Sequence, residues 1–139
     1  ELYANRNSKK KKSFDVNDFD ISFVRGLNLQ DGVATLTDFT ASTIAEELSL
    51  SLKEFKKNPL DILICGGGRK NKLLLKKIAK NIPPNINLKL IDDYNINGDF
   101  IESQAFAFLA VRSLQGLPIS YPNTTGCEKP CVGGELIKN

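Results

Sequence analysis

The chain has 139 residues, enough for one domain with a real core but not for two independent ones. Its 41% hydrophobic and 25% charged residues sit close to the globular average and exclude wholesale disorder, and a net charge of +3 is too modest to single out a nucleic-acid binder. Histidine is absent, which excludes His-based triads, His proton shuttles and the usual zinc sites.

Residues 1–31 read as an irregular polar segment. Four of the nineteen basic residues stand together as Lys9 to Lys12, a block better suited to a solvated loop or linker than to nucleic acid. Phe14, Phe19, Ile21, Phe23 and Val24 are scattered anchors, and Gly26 and Gly32 bracket a short connection. From Val33 to about Lys57 the pattern turns helical, with Ala41, Ile44, Ala45, Leu48, Leu52 and Phe55 on one face and Pro59 as the stop. Thr35, Thr37, Thr40 and Thr43 share this helix. Their hydroxyls could touch a ligand, but bonding back to the preceding turn is the commoner use.

Leu60–Cys65 reads as a short buried strand that ends in Gly66, Gly67 and Gly68. A helix over Lys72–Lys80 follows, ended by Pro83-Pro84, and a second strand is expected over Asn87–Ile91. Asp99–Leu114 is a second long helix, apolar all round between Ala105 and Val111 and therefore expected to be deeply buried. Gly116 is its expected C′ residue, with Pro118 just beyond. The tail from Ile119 should be mostly loop. This alternation describes an α/β domain with adjacent, parallel strands over residues 32–139.

Chemistry concentrates in two places. Glycine admits positive φ and lets a ligand approach without meeting a Cβ, so a strand, a glycine turn and a helix can hold a nucleotide's phosphates or sugar against bare backbone. The pattern is neither GxGxxG nor GxxxxGK[ST], and on spacing alone a tight strand-to-helix turn is the commoner reading. In Gly98-Asp99-Phe100-Ile101-Glu102, Asp99 as N-cap and Glu102 at N3 would form a variant capping box. Alternatively, Glu102 faces a cleft, where its carboxylate could orient or deprotonate a hydroxyl. Asp92-Asp93 stands at the strand edge where ligands of α/β sheets bind, and Thr124-Thr125-Gly126 is a polar turn that could meet a substrate or simply connect. Cys65, Cys127 and Cys131 suit the reduced thiols of a cytoplasmic protein, and no stretch is long and apolar enough for a membrane span. Methionine is absent, even at position 1, so the chain is expected to be part of something longer.

Four stretches together resemble the anhydro-N-acetylmuramic acid kinases of cell-wall recycling. They are Gln30-Asp31-Gly32-Val33-Ala34-Thr35-Leu36-Thr37 with Thr40 and Ala41; Ile64-Cys65-Gly66-Gly67-Gly68 with Asn71; Glu102 through Ala110; and Pro122 with Thr125-Gly126. The likeness runs from about Ser13 to the end and matches the C-terminal half of that family. The glycine triplet is shared across the sugar kinase, actin and heat-shock superfamily, whereas ESQAFAFLA after QD-x-x-ATLT is far more specific.

The resemblance implies an incomplete ribonuclease H-like (actin-like ATPase) lobe, with long helices packed on a small sheet. It implies ATP and Mg²⁺ as cofactors and an amino sugar as substrate, phosphorylated while water opens its 1,6-anhydro ring. Gly66, Gly67, Gly68 and Asn71 would lie at the nucleotide, and Glu102 at the sugar and attacking water; no residue here is expected to bind the metal. A homodimer through the 33–57 helix is a further implication.

The family's N-terminal phosphate loop, GTS-x-DG, and its catalytic aspartate are absent from these residues. The isolated chain is therefore expected to be inactive and to need the missing N-terminal kinase half. A non-catalytic interaction module, or a superfamily kinase for another sugar or a hydroxy acid, stands as the alternative.

Overall fold

A computed structural model of the chain describes residues 19–53 and 59–137. Their main elements are α1 (Leu29–Ser51), β1 (Leu60–Ile64), α2 (Lys72–Asn81), β2 (Ile86–Leu90), α3 (Ile101–Leu114) and α4 (Pro122–Thr125). Single 3₁₀ turns occupy Ser22–Val24, Gly67–Lys70 and Ile91–Tyr94. Two compact units result, one holding Ile21–Glu102 and the other, among the described residues, Phe19, Asp20 and the residues from Ser103 on.

The first unit is a βαβ unit with α1 packed on it. Asn28 starts α1: its side-chain oxygen accepts from the Asp31 N–H at 2.9 Å, and its amide donates to the Asp31 carboxylate at 2.7 Å. That reciprocal cap starts the helix ahead of Val33 and draws Gly32 into its first turn, so Gly32 does not bracket a loop. The helix closes at Ser51, with the Leu52 N–H on the Leu48 carbonyl at 3.0 Å. Among the described residues Leu52 is the last of this face packed on the core, and the helix ends at Ser51, ahead of Pro59. Phe55 and the rest of residues 54–58 lie outside the described residues, as does the Lys9–Lys12 block.

Ala41 and Ala45 are buried where α1 meets α2, and their small side chains let the two helices approach closely. Ile78, Ile82 and Ile86 complete the buried cluster, with Leu48, Leu52, Ile62, Leu74 and Leu88 packed around it. β1 and β2 pair in parallel, Leu60 opposite Ile86 and Ile64 opposite Leu90, with α2 as the crossover. The expected adjacency of parallel strands is therefore observed. β1 is not fully buried, however. Its residues alternate between half-buried and exposed, and Leu63 lies on the open side. Parallel sheets are normally covered on both faces; here the helices cover one.

The largest departure from expectation is α3. No residue of this helix is buried, and Phe106 and Phe108 are 65% and 62% exposed. A helix apolar on every side needs cover on every side. Among the described residues the tail engages it: Arg112 donates to the Pro118 carbonyl and the Tyr121 hydroxyl, both at 2.8 Å, and stacks over Phe108. Gly116 takes the expected C′ place with φ +67°, and the Leu117 N–H closes on the Arg112 carbonyl at 2.9 Å. Beyond it the tail is loop apart from α4 and one antiparallel bridge between Ser120 and Cys131. The three cysteines are free.

Candidate functional site

β1 delivers the chain to Gly66, whose φ of +77° and ψ of 176° define a conformation that suits glycine alone. Its N–H donates to the Gly98 carbonyl at 3.0 Å, so the turn after β1 is tied to the loop that precedes α3. A Cβ at Gly67 would meet no atom within 4 Å, and one at Gly68 would make only ordinary contact with Leu74 at 3.9 Å. The triplet thus combines one backbone-forced glycine with two whose missing side chains leave open space. An apolar cavity of about 310 Å³ adjoins it, lined by Ile44, Leu48, Ile62, Leu74 and Ile78 and bordered by Gly68.

α2 does not follow the glycines directly. A 3₁₀ turn intervenes, and Asn71 then caps α2 by accepting the Leu74 N–H on its side-chain oxygen at 3.0 Å. Asn71 therefore has a structural duty that the sequence reading did not assign it. The same residue shares a groove of about 190 Å³ with Thr37 and Thr40 of α1. Those two hydroxyls, with that of Thr35, donate to the carbonyls four residues back at 2.7–2.8 Å, the commoner of the two uses expected for them.

Sequence reasoning missed Arg69, which is buried to 8% exposure. Its Nε and Nη2 fork onto Asp92 at 2.7 and 2.9 Å, while Nη1 reaches Asp99 at 2.7 Å and the Gly66 carbonyl at 2.9 Å. Lys70 holds the second oxygen of Asp99 at 2.8 Å. No local sequence signal pairs this arginine with aspartates in two later loops. This arrangement also corrects the capping box. α3 starts at Ile101, and the Asp99 carboxylate is taken by two cations instead of the helix N-terminus. Asn97 shapes the approach, its side-chain oxygen accepting the Asp99 N–H at 3.0 Å. Glu102 is left in the first turn of α3 with an exposed side chain.

The family model for anhydro-N-acetylmuramic acid kinase matches residues 8–139. The chain belongs to that family. It is similar to the anhydro-N-acetylmuramic acid kinases of Pelagibacter ubique (53% identical), Zymomonas mobilis (41%) and Rhizorhabdus wittichii (45%). The alignments cover 99%, 90% and 88% of this chain but only 36%, 33% and 32% of those proteins. The chain thus spans about a third of the length of the curated relatives it matches.

Within this anhydro-N-acetylmuramic acid kinase segment, the open faces of Gly67 and Gly68 fit a nucleotide lying against backbone. Asp92 and Asp99 are spent on Arg69 and Lys70, and among the described residues no three His, Cys, Asp or Glu side chains cluster. Thr124 and Thr125, in the other unit, direct their hydroxyls to the Tyr121 carbonyl at 3.0 and 3.3 Å, as a connecting turn would. No helix among the described residues is long and apolar enough to cross a membrane.

The charge cluster carries a pH dependence. Hydrogen bonds from Arg69 hold Asp92 at about 2, and those from Arg69 and then Lys70 do the same for Asp99; Arg69 itself is pushed above its ordinary range. Both carboxyls titrate lower folded than unfolded. Their contribution is therefore complete above the ordinary aspartate value near 4 and is lost as pH falls from about 4 to 2. Circular dichroism should show stability falling across that window, and Asp92→Asn should flatten the fall. An unchanged slope in Asp92→Asn would remove the cluster as its source.

Proposed function

We propose that this chain is the nucleotide-side lobe of an anhydro-N-acetylmuramic acid kinase, with an actin-like ATPase fold completed by the rest of a longer protein. The complete enzyme would use ATP, with Mg²⁺, to phosphorylate 1,6-anhydro-N-acetylmuramic acid while water opens the anhydro ring. N-acetylmuramic acid 6-phosphate and ADP are the products. Residues 32–139 form the lobe in this reading, with a homodimer through α1 and a cytoplasmic setting as parts of the same proposal.

The observation that carries the reading is the glycine turn itself. Gly66 sets its backbone, Gly67 and Gly68 leave its outer face bare, and an apolar cavity adjoins it. Phosphoryl transfer consists mainly of positioning and charge stabilisation, so a backbone cradle is a fitting contribution from one lobe. Glu102, exposed on the helix that follows the loop tied to this turn, is the carboxylate available to orient or deprotonate the attacking water. Asn71 adds an amide beside the turn. The uncovered apolar α3 and the bare face of β1 are what a lobe shows when its companion is missing.

Calorimetry tests the nucleotide assignment. The chain should bind ATP or ADP weakly, without turnover, and Gly67→Val should weaken binding by about tenfold or more, or ~1.4 kcal/mol. Because the position is open, valine fits the folded turn and removes only the space a ligand would occupy. No binding at millimolar nucleotide by a folded sample would count against the lobe. A full-length kinase carrying this segment should phosphorylate the anhydro sugar, and failure there would reject the substrate.

A further inference from the structure

We propose that Arg69 is a positioning residue that locks the nucleotide-bearing glycine turn to the loop leading into Glu102, so that the two halves of this lobe's chemistry are set by one side chain. The proposal rests on the kinase reading of the same site.

Three segments meet on this guanidinium. The glycine turn supplies the Gly66 carbonyl, the turn after β2 supplies Asp92, and the loop before α3 supplies Asp99. Four of the five guanidinium N–H groups are engaged by protein and the residue is buried, so Arg69 acts through the groups it holds. The fit is close. A Cβ on Gly98 would lie 2.5 Å from Nε, 2.8 Å from Cζ and 3.0 Å from Cδ, so the side chain rests directly on the Gly98 backbone. Gly98 in turn receives the Gly66 N–H on its carbonyl at 3.0 Å and gives its own N–H to Asp92 at 3.3 Å. The glycine turn therefore cannot shift against the Asp99 loop without breaking a short, charge-assisted bond. Planarity matters as well as charge. A lysine could neutralise one aspartate but could not fork onto Asp92 while reaching Asp99 and Gly66.

Two variants disturb the joint differently. Arg69→Lys keeps the charge and loses the fork. Gly98→Ala keeps the arginine and displaces it, at a glycine whose φ is not in the left-handed region and against a flexible side chain that can move. In a full-length kinase carrying this segment, both should raise KM for ATP and lower kcat. A misplacement of this kind amounts to roughly a 10²-fold loss in kcat/KM. Placed on Glu102→Gln, Arg69→Lys should still raise KM for ATP but lower kcat no further, because the carboxylate it positions is already gone. Hydrogen exchange should quicken together at Gly66–Lys70 and at Gly98–Phe100 in both variants. Additive kcat losses, wild-type kinetics in Gly98→Ala, or unchanged exchange in Arg69→Lys would each overturn the proposal. If the exchange result holds while the wild-type enzyme leaves the anhydro sugar untouched, the joint stands and the kinase reading falls.

Discussion

Glu102→Gln in a full-length kinase carrying this segment should lower kcat by about 10²- to 10⁴-fold, the range for a single acid–base group. It should shift the thermal midpoint by only a few degrees. Glu102 is exposed and Asp99 is turned away to Arg69 and Lys70, so no capping box remains to be lost. What remains is a carboxylate in the first turn of α3, whose interaction with the helix dipole is worth about 0.3–1 kcal/mol. Steady-state kinetics beside a thermal melt separate the two roles. Stability lost in proportion to activity would return Glu102 to a structural duty.

Phe106→Ala should have opposite consequences in two settings. In the isolated chain the ring is largely exposed, so its removal should change stability by no more than about 0.5 kcal/mol and should reduce binding of a hydrophobic dye. In the full-length kinase, where the remainder of the protein would cover α3, the same change should cost about 3–5 kcal/mol. Denaturant titration of both proteins decides it. A small effect in both would mean that α3 stays uncovered and that the companion lobe lies elsewhere.

Much of the fold was legible because local chemistry set it. α2 and the two strands follow from short apolar runs punctuated by glycine and proline, and their parallel pairing follows from the helix between them. α1 starts earlier than its apolar periodicity suggests because its cap lies upstream of the first apolar repeat: Asn28 and Asp31 bind each other within a single turn. The glycine triplet stood out because only glycine can do what Gly66 does. Arg69 was hidden for the opposite reason. Its partners lie 23 and 30 residues away, and nothing in a linear pattern links them. Asp99 was misread with it, since Asp-x-x-Glu before an apolar helix looks the same whether or not a distant arginine claims the aspartate. The burial expected for α3 came from its composition, but composition does not say what covers a helix, and among the described residues Phe106 and Phe108 stay exposed.

The parallel pair of β1 and β2 also dictates how any larger sheet must be built. Their mutual register, Leu60 to Ile86 through Ile64 to Leu90, closes the space between them, so a further strand can join only outside β1 or outside β2. Among the described residues neither flank has a third strand, and each presents a row of amides and carbonyls ready to template one. If a longer protein extends this sheet, those rows are where its strands would dock. In a concentrated sample of the chain alone they offer the same template to another copy, and edge-to-edge association should set its shelf life.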